Sequence, residues 1–232
     1  MQRETTATVA TSHGSLRKTM IMFAFCLAGA LLNIGLNMLS NKAGLFLYLD
    51  TVFTVSVTLV GGLFWGALCG ALTNLIGHTI MFWGWQGYLF ALCNIAIAFV
   101  TWLFIRFFPR ELSLYGSSAT GNARYKSLLF RTSMERMIVL ILLSFALCFT
   151  VSILGGLISG LIGIFSEHEF GKWGLSGLLT ATMFSKNFPI IIAEILSRIP
   201  VNIIDRLITA FAGYGIALGL KEITKNRYQK SG

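Results

Sequence analysis

The sequence predicts an all-α integral membrane protein, built as a bundle of six transmembrane helices with an outer cap segment between the fifth and sixth helices. The first observation is the run Ala43–Ile105, in which Asp50 is the only formally charged side chain. At about 1.5 Å per helical residue, this run is long enough for three crossings of a ~30 Å hydrocarbon layer. The second observation is composition, because 55% hydrophobic and 12% charged residues are unusual in a soluble domain.

Apolar runs bounded by polar or charged segments define the six predicted spans. The fifth run is the longest and has to tilt, kink or protrude from the bilayer. We predict that the last span begins at Pro200, because a proline in the first helical turn loses no hydrogen bond. The predicted spans are Thr19–Leu39, Phe46–Leu63, Gly66–Phe82, Tyr88–Phe107, a stretch within Met137–Phe165, and Pro200–Leu220.

Basic residues set the predicted orientation in the membrane. Most of the 18 Lys and Arg residues lie in or beside an N-terminal tail (1–18), a central linker (108–134) and a C-terminal tail (221–232). Positive charge concentrates in cytoplasmic segments, so we expect both tails and the linker to be cytoplasmic and the net charge of +9 not to indicate nucleic-acid binding. Residues 19–220 then form a single membrane domain, with 166–199 as a partly helical cap along the outer surface.

Polar side chains from several predicted spans fall in the outer half of the bilayer. The first span runs outward and the second inward, so late residues of one lie at the depth of early residues of the next. A carboxylate such as Asp50 costs on the order of 3 kcal/mol to insert, so we expect it to have a partner or a function. We predict an outward-open pocket for a small solute, lined by Asn33, Asn37, Asp50, Thr54, Asn74, His78, Trp85, Asn94, Asn202, Asp205 and Arg206.

Two interpretations of these residues remain open. Asn side chains also join membrane helices without any ligand, and Trp is an ordinary residue of the membrane interface. Asp205 and Arg206 either bind the solute or pair structurally with Asp50. The sequence contains no phosphate-binding loop, no GxSxG motif and no metal-ligand spacing, so we expect no catalytic site, no ATPase activity, no cofactor and no metal.

Small residues recur at every fourth position on several helices. The pairs are Gly156 and Gly160 in the fifth span, Gly215 and Gly219 in the sixth, and Ala24 and Ala28 in the first. This spacing lets the backbones of two helices approach closely. We therefore predict packing faces at these positions.

Two blocks of the chain resemble the substrate-binding (S) component of energy-coupling factor (ECF) transporters. The first block starts at Leu49-Asp50, continues through the Gly-rich turn around Gly62 and the Gly-Ala-Leu repeats, and closes on Asn74-Leu75. The second block is Ile199–Ile204, which is similar to the Pro-x-Asn start of the family's last helix. Ala24 and Ala28 match the family's small-residue motif in the first helix.

The resemblance implies a multi-pass protein of a bacterial plasma membrane that captures a vitamin or related micronutrient from outside. It also implies partners, namely a transmembrane coupling subunit contacted through Ala24 and Ala28, and ATPase subunits that power import. The alternative is a ligand-sensing or scaffold module of similar fold, whose basic linker or tail contacts a cytoplasmic partner.

Overall fold

The protein is described by a computed structural model that covers residues 2–81, 85–112, 114, 123–165 and 174–230. Every regular element within these ranges is helical and none is a β-strand, which confirms the all-α class. A 3₁₀ helix, Trp85–Phe90, leads into the fourth helix. The α-helices are α1 (Gln2–Lys42), α2 (Val52–Gly61), α3 (Leu63–Met81), α4 (Ala91–Phe107), α5 (Ala123–Phe165), α6 (Gly174–Phe184) and α7 (Ile190–Lys230).

Five stretches are long and apolar enough to cross a membrane, which supports the prediction of a multi-pass membrane protein. They are Leu16–Lys42, Leu63–Ile80, Gln86–Phe107, Ser133–Ile164 and Ile190–Lys221. The second predicted span corresponds to α2, which is apolar but only 10 residues long. At about 1.5 Å per residue, α2 extends through about half of a hydrocarbon layer, so the described residues do not reach six full-length spans.

The chain between α1 and α2 is extended, which is why the predicted helix over Phe46–Leu63 begins late. Leu49 has a positive φ of 47°, which an α-helix does not admit. Backbone groups at membrane depth need hydrogen-bond partners, and side chains supply them here. The bonds are Ser40 Oγ to Leu47 O (2.7 Å), Asn37 Nδ2 to Tyr48 O (2.7 Å), and Leu49 N to Asp205 Oδ1 (2.8 Å).

The prediction that the last span begins at Pro200 is wrong, because α7 begins at Ile190 and Pro200 lies inside it. Proline is tolerated within membrane helices where neighbouring side chains bond the freed backbone groups. Pro200 has no N–H for the Leu196 carbonyl four residues earlier. Next to the proline, the Cys148 thiol of α5 donates to the Ile199 carbonyl, with an Sγ···O distance of 3.8 Å. The predicted cap, 166–199, is therefore not a single element. Residues 166–173 lie outside the described residues, α6 follows them, and 190–199 are the first turns of α7.

Three helices continue into segments predicted as tails or linker. α1 begins at Gln2, α5 begins at Ala123, and α7 continues to Lys230. Each further helical residue adds one backbone hydrogen bond, so a helix continues until a residue stops it. The stretch Lys221–Lys230 contains neither Gly nor Pro, which accounts for the helical C-terminal tail.

The short helix α2 lies at the centre of the bundle. It contacts α1, α3, α4 and α7, while α5 packs against α4 and α7, and α6 packs on α7. Val55 and Val57 of α2 have no exposed surface. Val55 belongs to a buried core with residues of α4, α5 and α7, including Ile97, Leu143 and Ala210. Because other helices surround α2, the thickness of the bilayer does not set its length.

Two regions of the bundle differ in chemistry. At one end, here called the basic end, Arg136 donates from Nε to the Glu111 carbonyl (3.0 Å) and lies 5.6 Å from the centroid of the Tyr214 ring. Beyond the apolar core, the segment before α2 meets α4, α5 and α7, while α5 and α7 continue past this point to the contact of Gly160 with Ile191. This region is called the polar end and contains Asp50, Asn94, Ser152, Asn202, Asp205 and Arg206.

The small-residue pairs of α5 and α7 have different surroundings. A Cβ atom on Gly156 would lie 2.7 Å from Ile195 Cα and 2.8 Å from Ile195 N, so α7 packs directly on the α5 backbone. A Cβ on Gly160 would lie 3.1 Å from Ile191 Cα. Gly215, in contrast, has nothing within 4 Å of such an atom. The four-residue glycine spacing therefore lies at a helix–helix contact on α5, whereas on α7 it lies on a face that no other described helix covers.

We expect Gly156→Ala to force α5 and α7 apart and to lower the free energy of unfolding by about 1–3 kcal/mol, the usual range for overpacking. Gly215→Ala is the matched control, and we expect it to leave stability unchanged or slightly raised because alanine favours helix. Unfolding of both variants in detergent measures the difference. Equal stabilities of the two variants would contradict the close contact.

Candidate functional site

Three ionisable side chains meet inside the polar end. Arg206 Nη2 lies 2.9 Å from Asp205 Oδ2 and 3.9 Å from Asp50 Oδ1. The Arg206 guanidinium also donates from Nη1 to Thr51 Oγ1. The exposed fractions of the side chains are 2% for Arg206, 0% for Asp205 and 24% for Asp50. Membrane-spanning helices therefore enclose an ion cluster, of which one carboxylate is partly accessible.

The position of this cluster follows from α7 and the extended segment before α2. Asp205 and Arg206 are neighbours in α7, so their side chains leave the helix about 100° apart. Asp205 Oδ1 accepts the Leu49 N–H at 2.8 Å, and Arg206 bonds Thr51 directly before α2. Asp50 lies between these two anchored residues. Asp205 and Arg206 therefore fix the place from which Asp50 presents its carboxylate.

Asn94 of α4 is the fourth member of the cluster. It is 3% exposed, and its Nδ2 donates to Asp50 Oδ2 at 3.2 Å. Close packing of α3 holds the Asn94 backbone, because a Cβ atom on Gly70 would lie only 2.7 Å from Asn94 O. Asn94 therefore orients Asp50 from the side opposite α7.

Several buried atoms of the cluster keep hydrogen-bonding capacity. Among the residues that the structure describes, four atoms of this region are buried and have no hydrogen-bond partner: Asp50 Oδ1, Asp205 Oδ2, Arg206 Nε and Asn202 Oδ1. Asp205 Oδ2 nevertheless lies within ion-pair distance of Arg206. Buried polar atoms in proteins nearly always have one, from the chain itself, from ordered water or from a ligand. The cluster can therefore accept a hydrogen bond at Asp50 and donate one at Arg206.

Asn33, Asn37 and Thr54 lie near the polar end, where they join parts of the chain. Asn33 is fully buried, donates to both Thr54 Oγ1 (3.1 Å) and Thr73 Oγ1 (3.2 Å), and accepts the Phe53 N–H at 2.9 Å. This set of bonds connects α1, α2 and α3. Asn37 supports the extended segment, as described above. These side chains thus stabilise the helix arrangement around the cluster.

The remaining predicted residues lie on α3, on α7 and in the 3₁₀ helix before α4. Asn202 Nδ2 donates to Ser152 Oγ at 2.9 Å and thereby joins α7 to α5. Asn74 Nδ2 lies 3.5 Å from Gly70 O within its own helix. His78 packs edge-to-face against Tyr88, with 6.1 Å between ring centroids. The side chain of Trp85 lies outside the described residues.

A second ion pair on α7 escaped the sequence prediction. Arg198 Nη2 lies 3.4 Å from Glu194 Oε2, bonds Ser159 Oγ of α5, and the guanidinium carbon lies 5.5 Å from the Phe90 ring centroid. Glu194, Arg198, Asn202 and Arg206 recur at every fourth residue, so they share one face of α7. That spacing was visible in the sequence, but a helix starting at Pro200 excludes its first two members.

The short helix α6 also contacts the polar end. Tyr48 Oη, in the extended segment, lies 3.3 Å from Ser176 Oγ of α6. Thr180 Oγ1 of α6 lies 2.8 Å from Ser197 Oγ of α7. Hydroxyl contacts therefore connect α6 both to the segment that carries Asp50 and to α7.

The geometry defines an α-helical membrane protein with an ion cluster enclosed within its bundle. Within the described ranges, no group of three or more His, Cys, Asp or Glu side chains is placed to hold a metal ion. Comparisons with protein-family models, with curated proteins and with solved structures find no match to this chain. The function is therefore argued from the cluster and the charge distribution.

Proposed function

We propose that the protein is the substrate-capture subunit of an ECF-type importer and binds a vitamin or related small micronutrient in an outward-facing polar pocket. The observation that carries this proposal is the cluster of Asp50, Asp205 and Arg206. Ionisable side chains within membrane helices are costly and typically mark solute or ion sites. A purely structural ion pair needs no accessible member, whereas Asp50 is 24% exposed.

The direction of the pocket is inferred from the basic end. Under the positive-inside rule the basic end faces the cytoplasm, together with both termini, and the polar end opens to the outside of a bacterial plasma membrane. In this arrangement α2 with its preceding segment is the sixth crossing, and α6 is the outer cap. The charges that support the orientation are Arg17, Lys18, Arg106, Arg110, Arg136 and Lys221.

The exposed face of α1 supports an importer with separate subunits. Ala24 and Ala28 are both exposed on α1, which packs against α2 and α3 with its other face. Small side chains let a partner helix approach closely. The sequence has no nucleotide-binding motif, so the energy for import has to come from a coupling subunit and its ATPase subunits.

We expect Asp50→Asn to weaken solute capture about ten-fold to a hundred-fold, because a hydrogen bond to a charged group contributes about 1.5–3 kcal/mol. The measurement is mass spectrometry of the solute that co-purifies with the full chain in mild detergent. Lys42→Gln, which removes an exposed charge at the last residue of α1, is the control and should keep its solute. Equal solute content in the two variants, or no solute in the wild type, would count against capture.

We expect Ala24→Trp and Ala28→Trp to block assembly with the coupling subunit while solute content stays at the wild-type level. A bulky ring on this face keeps a partner helix at a distance. Co-expression with the coupling and ATPase subunits, followed by affinity purification, measures assembly. Leu142→Trp on α5, whose native side chain is 48% exposed, is the control for a bulky lipid-facing residue. Undiminished assembly of both Ala variants would refute the contact.

A further inference from the structure

The charged side chains of the ion cluster differ in how closely each is paired with an opposite charge. Arg206 and Asp205 form a closed pair, with 2.9 Å between Nη2 and Oδ2 and at most 2% exposure of either side chain. Asp205 also accepts the Leu49 N–H, and Arg206 also donates to Thr51. The positive charge of Arg206 is therefore already neutralised inside the protein.

Asp50 is the acid of the cluster that has no counter-charge of its own, because Asp205 is the nearer partner of Arg206. Its Oδ1 lies 3.9 Å from Arg206 Nη2, which is beyond hydrogen-bond distance, and has no hydrogen-bond donor among the described residues. Its Oδ2 accepts one bond, from the neutral amide of Asn94. With both carboxylates ionised, two acids and one guanidinium carry one negative charge in excess, and Asp50 is the accessible acid.

The neighbouring ion pair does not change this balance. Arg198, two turns before Arg206 on the same face of α7, lies 3.4 Å from Glu194, and the two charges cancel. Lys42 and Lys186 are exposed to the surroundings of the bundle. No spare cation among the described interior side chains of the polar end is therefore available to Asp50.

A partly buried carboxylate favours a cation over a neutral molecule and disfavours an anion. Removing a charge from water is unfavourable unless an opposite charge compensates it, and the effect grows where the surroundings exclude water. An anionic solute at Asp50 would add like-charge repulsion to that loss. The preference follows from Asp50 being the accessible charge while Arg206 is enclosed.

We propose that the solute captured at the polar end carries a positively charged nitrogen, such as a protonated amine, which binds the Asp50 carboxylate. This inference rests on the proposed capture function and names the chemical class of its substrate. Asn94 orients the carboxylate through Oδ2, and the cation binds the carboxylate from the side on which Asp50 is exposed. Asp205 and Arg206 act as positioning residues that hold the segment carrying Asp50.

The test uses three probes that share a benzene ring and differ in one group: benzylammonium, benzyl alcohol and benzoate. Thermal unfolding of the full chain in mild detergent is followed with each probe at equal millimolar concentration and equal ionic strength. We expect benzylammonium alone to raise the unfolding temperature of the wild type. Asp50→Asn should lose this rise, and Asp50→Glu, which keeps the charge, should retain part of it.

A rise with benzoate, equal rises with benzylammonium and benzyl alcohol, no rise with any probe, or an unchanged rise in Asp50→Asn would overturn the proposal. The solute that co-purifies with the wild type separates this inference from the proposed function. If that solute is neutral or anionic, the proposed capture function holds and the proposed preference for a cation is wrong. If no solute co-purifies but benzylammonium alone raises the unfolding temperature, the proposed capture function is contradicted and a cation-binding site at Asp50 is supported.

Discussion

The structure depends on a counter-charge for one guanidinium group that is enclosed among membrane helices. Arginine stays charged in proteins, so Arg206, 2% exposed, requires a counter-charge at its own depth. Asp205 supplies it and simultaneously accepts the N–H of Leu49. This second bond ties the chain before α2 to α7. The ion pair thus also supports the segment before α2, whose Leu49 N–H would lose its acceptor without Asp205.

This arrangement divides structural and functional roles between two neighbouring carboxylates. Asp205 is fully enclosed, 2.9 Å from Arg206 and bonded to the Leu49 N–H, whereas Asp50 is partly exposed and lies 3.9 Å from Arg206. Asn33 and Asn37 stabilise the scaffold from the side of α1. A rigid support that presents one accessible carboxylate is suited to binding a small solute. Capture and cation selectivity remain proposals that follow from this division.

Apolar runs sufficed to predict five spans, and the alternating direction of the spans placed Asp50, Asn94, Asp205 and Arg206 at one depth. The length of α2 could not be predicted, because residues 46–49 are as apolar as a membrane helix and the partner of the Leu49 N–H is remote in the chain. Leu49 and Asp205 are 156 residues apart in the chain. The role of each polar residue also escaped prediction, since it depends on helix rotation and on the neighbouring side chain. Pro200 did not mark the start of the last helix, because proline is tolerated in the interior of membrane helices and α7 continues through it.

A double-mutant cycle on Asp205 and Arg206 tests the central claim most directly. Unfolding free energies are measured in detergent for Asp205→Asn, Arg206→Gln and the double variant. If the two side chains compensate each other, each single variant removes the nearest counter-charge of a buried group and should lose about 3–5 kcal/mol. The double variant should then lose clearly less than the sum of the two. Additive losses, or single variants as stable as the wild type, would contradict the account.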